Sequence, residues 1–459
     1  MGHDHGRRTN RRILAVGLAG SLAGVTLAGC SLPGSSSKPA TTTTTSSNSV
    51  QITAPLTPED VAKDGTVTLS VWADAGEEKT LADYVPRFET KFPNVKVKLT
   101  VKGFDDLVKT VANALNSETS PDVVQGNQGF GVDGLLVKAR LIRPLDDLAQ
   151  TYGWDKYPSS AIAPFRWNAE GTVFGQGSLY GISPVTQNVG VFYNRTLLAD
   201  AGVQPPQTFA DFEAALPVLK KKGITPIVIG NADKYPGVQV YTTIAGALSG
   251  VQPLLGWIGG TAGASIDTPE MRQAATVLTQ WAKAGYLGEG FNGVSADDAA
   301  AKFAGGGGAF YIAGDWNIPT LLAGGQDIGL MAPPTGKDAK HVAAGSLGMG
   351  WHISARTAHV RAAAAFIAGL QDPAYAPELV AQGRVPITSP DIASEDPLLA
   401  DDIAMSQKLM ADDGIVGFID WATDTMYDES GDRLQELLDG RLSAEQFIAA
   451  LQTNWERAH

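Results

Sequence analysis

Residues 67–101, VTLSVWADAGEEKTLADYVPRFETKFPNVKVKLTV, read as strand, helix and strand. Val67-Thr68-Leu69-Ser70-Val71-Trp72 is rich in β-formers and alternates as a strand does. Leu81, Tyr84, Val85, Phe88 and Phe92 then recur at helical spacing, and Pro93 closes the helix. Val95-Lys96-Val97-Lys98-Leu99-Thr100-Val101 alternates apolar and polar residues, the signature of a second, half-buried strand. Another helical run (Leu107, Val111, Leu115) leads to a strand at Asp122-Val123-Val124. The pattern returns later, where a helix from Phe209 to Lys222 precedes Ile224-Thr225-Pro226-Ile227-Val228-Ile229. Strands separated by helices of this length pair in parallel, so the fold class is α/β. The sequence shows no convincing internal repeat.

Upstream of this body the chain changes character. Arg7, Arg8, Arg11 and Arg12 precede an apolar run from Ile13 to Ala28, and Leu27-Ala28-Gly29-Cys30 follows. Basic, apolar and small residues in that order make a secretory signal peptide. The apolar run of about 16 residues is shorter than the roughly 20 that a spanning helix needs. Cys30 is the only cysteine of the chain, so it has no disulfide partner within it. Asn10-Arg11-Arg12-Ile13-Leu14 loosely matches a twin-arginine export signal, and the export route stays open. From Ser31 to about Thr57 the residues are mostly Ser, Thr, Pro and Gly, a composition that reads as a disordered tether. The folded part then occupies roughly 390 residues, more than one simple core holds, which implies two lobes.

The formal charge is −13, and removing the signal region with its four arginines and one aspartate makes the remainder more acidic still. An acidic body argues against nucleic acid and anionic membrane surfaces as partners. Gly305-Gly306-Gly307-Gly308 lacks the Lys-Ser/Thr of a phosphate-binding loop and reads as a turn. There is no His-Glu-x-x-His, no cysteine cluster and no Gly-x-Ser-x-Gly. His341, His352 and His359 are scattered, and the histidines at 3 and 5 fall in the signal region. The expectation is therefore no enzyme, no cofactor and no metal. Most of the nine tryptophans are flanked by Gly, Asn, Asp or Pro, which places them on loops rather than in a core.

The order of landmarks from Val67 onward resembles the extracellular solute-binding proteins of ATP-driven importers, in the sugar-binding family that includes maltose-binding protein. The segments that carry it include Val71-Trp72, Phe92-Pro93-Asn94-Val95, Pro121-Asp122-Val123-Val124 and Leu141 to Leu148. Tyr180-Gly181-Ile182-Ser183-Pro184, Phe192-Tyr193-Asn194-Arg195 and Ala309 to Trp316 continue it, with Gly345 to Ile353 after them. Leu27-Ala28-Gly29-Cys30 likewise resembles a lipobox, in which the peptide 1–29 is removed and Cys30 is acylated. The resemblance implies a two-lobed periplasmic-binding-protein fold with discontinuous lobes and a cleft between them. The N-terminal lobe would be 66–183 with 344–388, and the C-terminal lobe 187–340 with 392–459. Residues 30–65 would be the lipidated tether, and crossings would fall near Pro184, Ala344 and Ser389. Function would be capture of a carbohydrate, with a lean to an oligosaccharide, by hinge closure. The partners would be membrane permease subunits, the receptor a monomer, and its place the outer face of the cell membrane.

A sugar needs aromatic faces for its C–H surfaces and polar side chains for its hydroxyls. Trp316, in Gly314-Asp315-Trp316-Asn317, stands where the family commonly presents a stacking tryptophan. Gln187 matches a polar contact position just past the first crossing. Asn127 and Gln128 follow a strand on a Gly-rich loop, where an open α/β sheet places its crevice. Trp72 ends the first strand, with Asp74, Glu77 and Glu78 opening the next helix. Trp351, Asp420 and Trp421 lie near the hinge and late cleft-lining stretches, and Trp257, Tyr235 and Asp233 complete the candidates. A secreted glycoside hydrolase with paired carboxylates, a receptor for a polyamine or another solute, and an adhesion protein are the rival readings.

Overall fold

A computed structural model describes residues 50–389 and 392–459. The strands are β1 (Val67–Asp74), β2 (Val95–Lys102), β3 (Val123–Gly126), β4 (Arg166–Trp167), β5 (Ser178–Leu179) and β6 (Thr186–Asn194). They continue with β7 (Ile227–Val228), β8 (Phe310–Gly314), β9 (Ile328–Met331), β10 (Ala343–Leu347), β11 (Gly350–Ile353) and β12 (Ile415–Val416).

In β1 the alternation predicted from sequence is realised, with Val67, Leu69, Val71 and Ala73 buried on one face. β1 pairs in parallel with β2, Val67 opposite Val95 and Asp74 opposite Lys102, and in parallel with β3 on its other side. Helices Glu78–Lys91 and Phe104–Asn116 make the crossovers that parallel pairing requires. β11 closes this four-stranded sheet antiparallel to β3. Its core packs the β1 face and Leu81, Tyr84 and Phe88 against Phe366 of helix Val360–Leu370.

The second sheet has the order β12-β10-β6-β8-β7, with β9 also pairing β6. β6, β8 and helix Tyr235–Ser249 bury Val189, Val191, Phe310, Ile312, Tyr241 and Ile244 in a separate core. Helices Pro269–Lys283 and Ala444–Ala458 add Trp281 and Trp455 to it. The two larger sheets, each with its own main core, make the chain a two-lobed α/β protein, and β4 and β5 pair as a small third sheet. Among the described residues no helix is long and apolar enough to cross a membrane.

Three segments pass between the lobes side by side. Ile182 bridges Trp351, Val185 bridges Pro386, and the amides of Gly348 and Ile387 donate to the carbonyls of Val185 and Pro184. The first passage lies at Ser183–Val185. The second falls at Gly348-Met349 rather than near Ala344, because all of β10, Ala344 included, is paired with β6 and β12 of the second sheet. The third includes Arg384 to Ile387, ahead of the expected point at Ser389.

The expected tether also ends sooner than residue 65. Ile52 and Val61 are buried in the first-lobe core, and Leu56 packs against it. The amide of Ile52 donates to Asp147 at 2.9 Å, and that of Leu56 donates to the Tyr152 hydroxyl at 2.9 Å. A capping box between Thr57 and Asp60, with Pro58 in the first turn, starts the short helix Pro58–Ala62. Val50, Ile52, Leu56 and Val61 are enough apolar residues to dock this strap, a signal that the Ser/Thr-rich composition around it obscured. The signal region, Cys30 and the rest of the tether lie outside the described residues.

Candidate functional site

The carboxyl ends of β1, β3 and β8 and the neighbouring loops meet between the lobes, where an open α/β sheet places its crevice. Gly129 fixes how close the lobes come. Its φ is +86°, and a Cβ there would strike Cα and Cβ of Trp421 from the other lobe. At the rim, the Tyr427 hydroxyl of the second lobe donates to Asp105 of the first at 3.0 Å. The Phe104 and Tyr427 rings lie 6.1 Å apart beside that bond.

Trp316 follows β8 in the turn Asp315–Asn317 and is half-buried. Its ring lies over Gly314, where any side chain would collide with it, and its other aromatic neighbour is Phe418 at 6.4 Å. Gln187 is also half-buried, on β6 opposite Ser346 and against Gly348. Asp315 joins these two candidates. Its carboxylate accepts the Asn188 amide at 2.8 Å and the amide of Trp316 as well. Burial pushes the Asp315 carboxyl up to about 7, against the opposing pull of those amides and of Arg384.

Tyr235, at the start of its helix, is half-buried and faces both lobes. Burial first, then the carboxylates of Asp233, Asp297, Asp105 and Asp74, raise its hydroxyl pKa well above the ordinary value. The Tyr427 hydroxyl is raised in the same way, by burial and then by Asp105 and Asp420. Asp420 itself is pushed up to about 6 by burial. Trp72 is half-buried, with the Lys102 ammonium 4.8 Å above its ring. Asn127 is half-buried on the loop after β3, and its carbonyl accepts the Asp133 amide at 3.2 Å. Beneath that loop Asp133 and His352 are fully buried, with His352 Nε2 3.1 Å from the carboxylate and Nδ1 donating to the Tyr180 carbonyl. Tyr180 offers that nitrogen only an acceptor, so Nδ1 carries a proton and the ring is fixed in orientation.

Other expected contacts are spent on the fold. Trp351 is 1% exposed in the first-lobe core, 6.0 Å from Phe366, because its strand β11 is covered by helix Val360–Leu370. Trp257 is completely buried in the second-lobe core, donating to Gln452. Trp421 is 2% exposed, wedged between Phe418 and Phe174 and against Gly129, so it packs the lobes together rather than offering a face. Seven of the nine tryptophans are in fact buried, against the loop reading. Gln128 is 3% exposed and donates to the carbonyls of Leu347 and Gly348 at 3.0 Å, clamping the second passage. Glu77 is tied to Arg384 at 2.6 Å. Asp233 accepts the Ala296 amide at 2.6 Å, a cap on helix Ala296–Ala304.

Sequence reasoning missed Phe418, Tyr427, Asp105, Asp315 and Arg384. Phe418 had a legible signal, three residues before Trp421 and in the same Gly-flanked turn. Among the described residues no cluster of His, Cys, Asp and Glu is built to hold a metal.

The sequence pattern of the bacterial extracellular solute-binding proteins matches residues 49–377. An uncharacterized ABC transporter extracellular-binding protein of Pyrococcus horikoshii is 24% identical over 253 residues, 53% of this chain and 54% of that protein. The melibiose/raffinose/stachyose-binding protein MelE of Bacillus subtilis is 28% identical over 162 residues, 32% of this chain and 34% of that one. The chain thus spans about half the length, or less, of these two relatives. A solved chitin oligosaccharide binding protein superposes with a TM-score of 0.73 at 21% identity, covering 85% of this chain and 99% of that one. With two lobes, three passages and a match over most of its length, the chain belongs to the bacterial extracellular solute-binding proteins.

Proposed function

We propose that this chain is a lipid-anchored receptor that captures an oligosaccharide between its lobes and delivers it to a membrane permease. One observation carries the reading. Half-buried rings of the second lobe (Trp316, Phe418, Tyr235, Tyr427) stand in one crevice with carboxylates of both lobes (Asp74, Asp105, Asp420). Rings pack on the C–H faces of a pyranose, and carboxylates accept from its hydroxyls. Contacts from both lobes exist together only when the lobes close, so ligand binding and closure are one event. The sugars named for MelE and for the solved chitin oligosaccharide binding protein support the same class of ligand. The work is binding, with ATP hydrolysis left to other subunits, and a tether through Cys30 keeps the receptor near its permease.

The test is a thermal-shift screen of the purified chain with maltose, raffinose, stachyose and chitooligosaccharides. A ligand that binds only the folded state raises the melting temperature by mass action. For the sugar that does so, Trp316→Ala is expected to weaken binding at least tenfold, about 1.4 kcal/mol, with melting of the free protein nearly unchanged. No shift with any of these sugars, or undiminished affinity in the variant, counts against the reading. Release of cleaved sugar would replace it with a hydrolase.

A further inference from the structure

Three glycines make a cradle for the ring of His352. A Cβ on Gly126, Gly181 or Gly350 would come within 3.0 Å of it. These glycines belong to β3, to the stretch before the first passage and to β11, so three segments close around one side chain. That side chain is completely buried, as is its neighbour Asp133 in the turn Phe130–Gly134. Ligand contact does not explain either group, since neither reaches the crevice.

Among the described residues, the polar atoms that meet the ring are all acceptors. Nδ1 faces the Tyr180 carbonyl at 2.9 Å, and Nε2 faces Oδ1 of Asp133 at 3.1 Å and the Gly126 carbonyl. An imidazole with acceptors at both nitrogens holds two protons and a positive charge. Asp133 supplies the counter-charge. Among the described residues no other charged group bears on it, and neither of its oxygens has another hydrogen-bond partner. The remaining neighbours are neutral, namely Val124 opposite His352 on β3, and Phe165 against Gly181 and Gly350. Asp122, just before β3, is spent on Ser70 and Thr357. Burial works against the charge on the ring, yet Asp133 and the two carbonyls outweigh it and raise the imidazole above its ordinary value. Burial also lifts the Asp133 carboxyl, against the pull of His352. Both shifts keep protons on the pair.

We propose that His352 is a buried imidazolium whose pair with Asp133 is a positioning pair, holding the loop 127–134 against the strands that enter the first and second passages. A buried ion pair stabilises a fold little, and its best attested use is to select one arrangement over others. Here the arrangement is that of the crevice loop. The Asp133 amide donates to the Asn127 carbonyl at 3.2 Å, and the Gly134 amide to that of Gly129 at 3.0 Å. Fixing Asp133 therefore fixes Asn127 in the crevice and Gly129 against Trp421 of the other lobe. Between them Gln128 clamps the second passage. Loss of the ring proton leaves a bare carboxylate facing a lone pair, and the turn is pushed away. The consequence for ligand rests on the crevice being the sugar site, but the pair and its hold on the loop are testable without a sugar.

The experiment is NMR of the full ligand-free chain, labelled with nitrogen-15 in histidine and glycine, between pH 5 and 9. The ring signals of His352 are identified by their loss in His352→Gln. In the wild type both ring nitrogens are expected to be protonated at pH 7, with a midpoint above the ordinary value of about 6.5. Asp133→Asn should lower that midpoint by about one pH unit or more, because burial then acts unopposed. The amide of Gly129 should shift with the same midpoint as the ring in the wild type, and be flat from pH 7 to 9 in Asp133→Asn. A neutral His352 ring at pH 7 in the wild type, or an unmoved midpoint in the variant, overturns the ion pair. A Gly129 amide that stays still while the ring titrates overturns the positioning role. The wild-type arms decide both points even where the variant fails to fold. With a sugar from the thermal-shift screen, wild-type affinity should fall about fivefold as pH rises through the His352 midpoint, above the range in which Asp420 titrates. If the resonances behave as expected while no sugar binds, the pair stands and the sugar reading falls.

Discussion

The two lobes bring different chemistry to the crevice. The first-lobe strand ends offer polar groups, and most of these are already bonded: Glu77 to Arg384, Gln128 to the second passage, Asp105 to Tyr427. The second lobe offers rings that are only half covered, Trp316 and Phe418 foremost. The difference is a division of labour. First-lobe polar groups hold the lobes in register, whereas second-lobe rings keep a face in reserve. A buried polar group without a partner is costly, so groups such as Gln128 have to find protein partners. A ring face bears no such obligation.

The sharpest way to break this comparison is Glu77→Gln. The Glu77–Arg384 pair is 13% and 10% exposed at its two side chains, and removing one partner strands the other. Breaking such a pair costs about 3–5 kcal/mol when fully buried, so with this exposure about 2–3 kcal/mol is expected, read by urea unfolding. Trp316→Ala should do the reverse, costing affinity and little stability. If the two substitutions had the same effect on both quantities, the division of labour would be wrong.

A smaller effect tests the rim. Tyr427→Phe removes the one hydroxyl that ties the second lobe to Asp105, and leaves the ring beside Phe104 in place. An exposed hydrogen bond of this kind contributes about 0.5–1.5 kcal/mol. The expected result is a loss of roughly threefold in sugar affinity, with a larger ligand-free radius of gyration by small-angle scattering. An unchanged radius and unchanged affinity would show that closure does not use this bond.

What the sequence disclosed and what it hid follow from the reach of each signal. The parallel unit from Val67 to Val124 was legible because alternation and helical spacing are local and strong. Pro184 was named as a passage only through the resemblance, since no local pattern marks where a chain changes lobes. Ala344 was misplaced because β10 and β11 read alike, and only pairing with β6 or β3 assigns them to different sheets. Trp351 and Trp257 looked exposed because their sequence neighbours are glycines and polar residues, yet helices distant in sequence cover them. Trp316 and Gln187 were legible as candidates, whereas Asp315 between them was not, since its role lies in a bond to an amide 127 positions away. Arg384 was hidden for the same reason: its partner Glu77 is 307 positions distant.

Asp420 gives the finest test, because it is a half-buried carboxyl within reach of the rings. Burial lifts it to about 6, so the folded protein keeps a proton that the unfolded chain gives up near pH 4. The folded state therefore binds more protons between these values, and stability from this group falls as pH rises through about 6 and is level above it. Asp420→Asn should remove that part of the slope. Its effect on ligand runs with pH in the opposite sense. At pH 8 the ionised carboxylate accepts from sugar hydroxyls more strongly than an amide does, so the wild type should bind a few-fold more tightly than Asp420→Asn. At pH 5 the acid is protonated and the two proteins should converge. A constant ratio of affinities from pH 5 to pH 8 would mean that Asp420 never meets the sugar, and that the second lobe contributes rings alone.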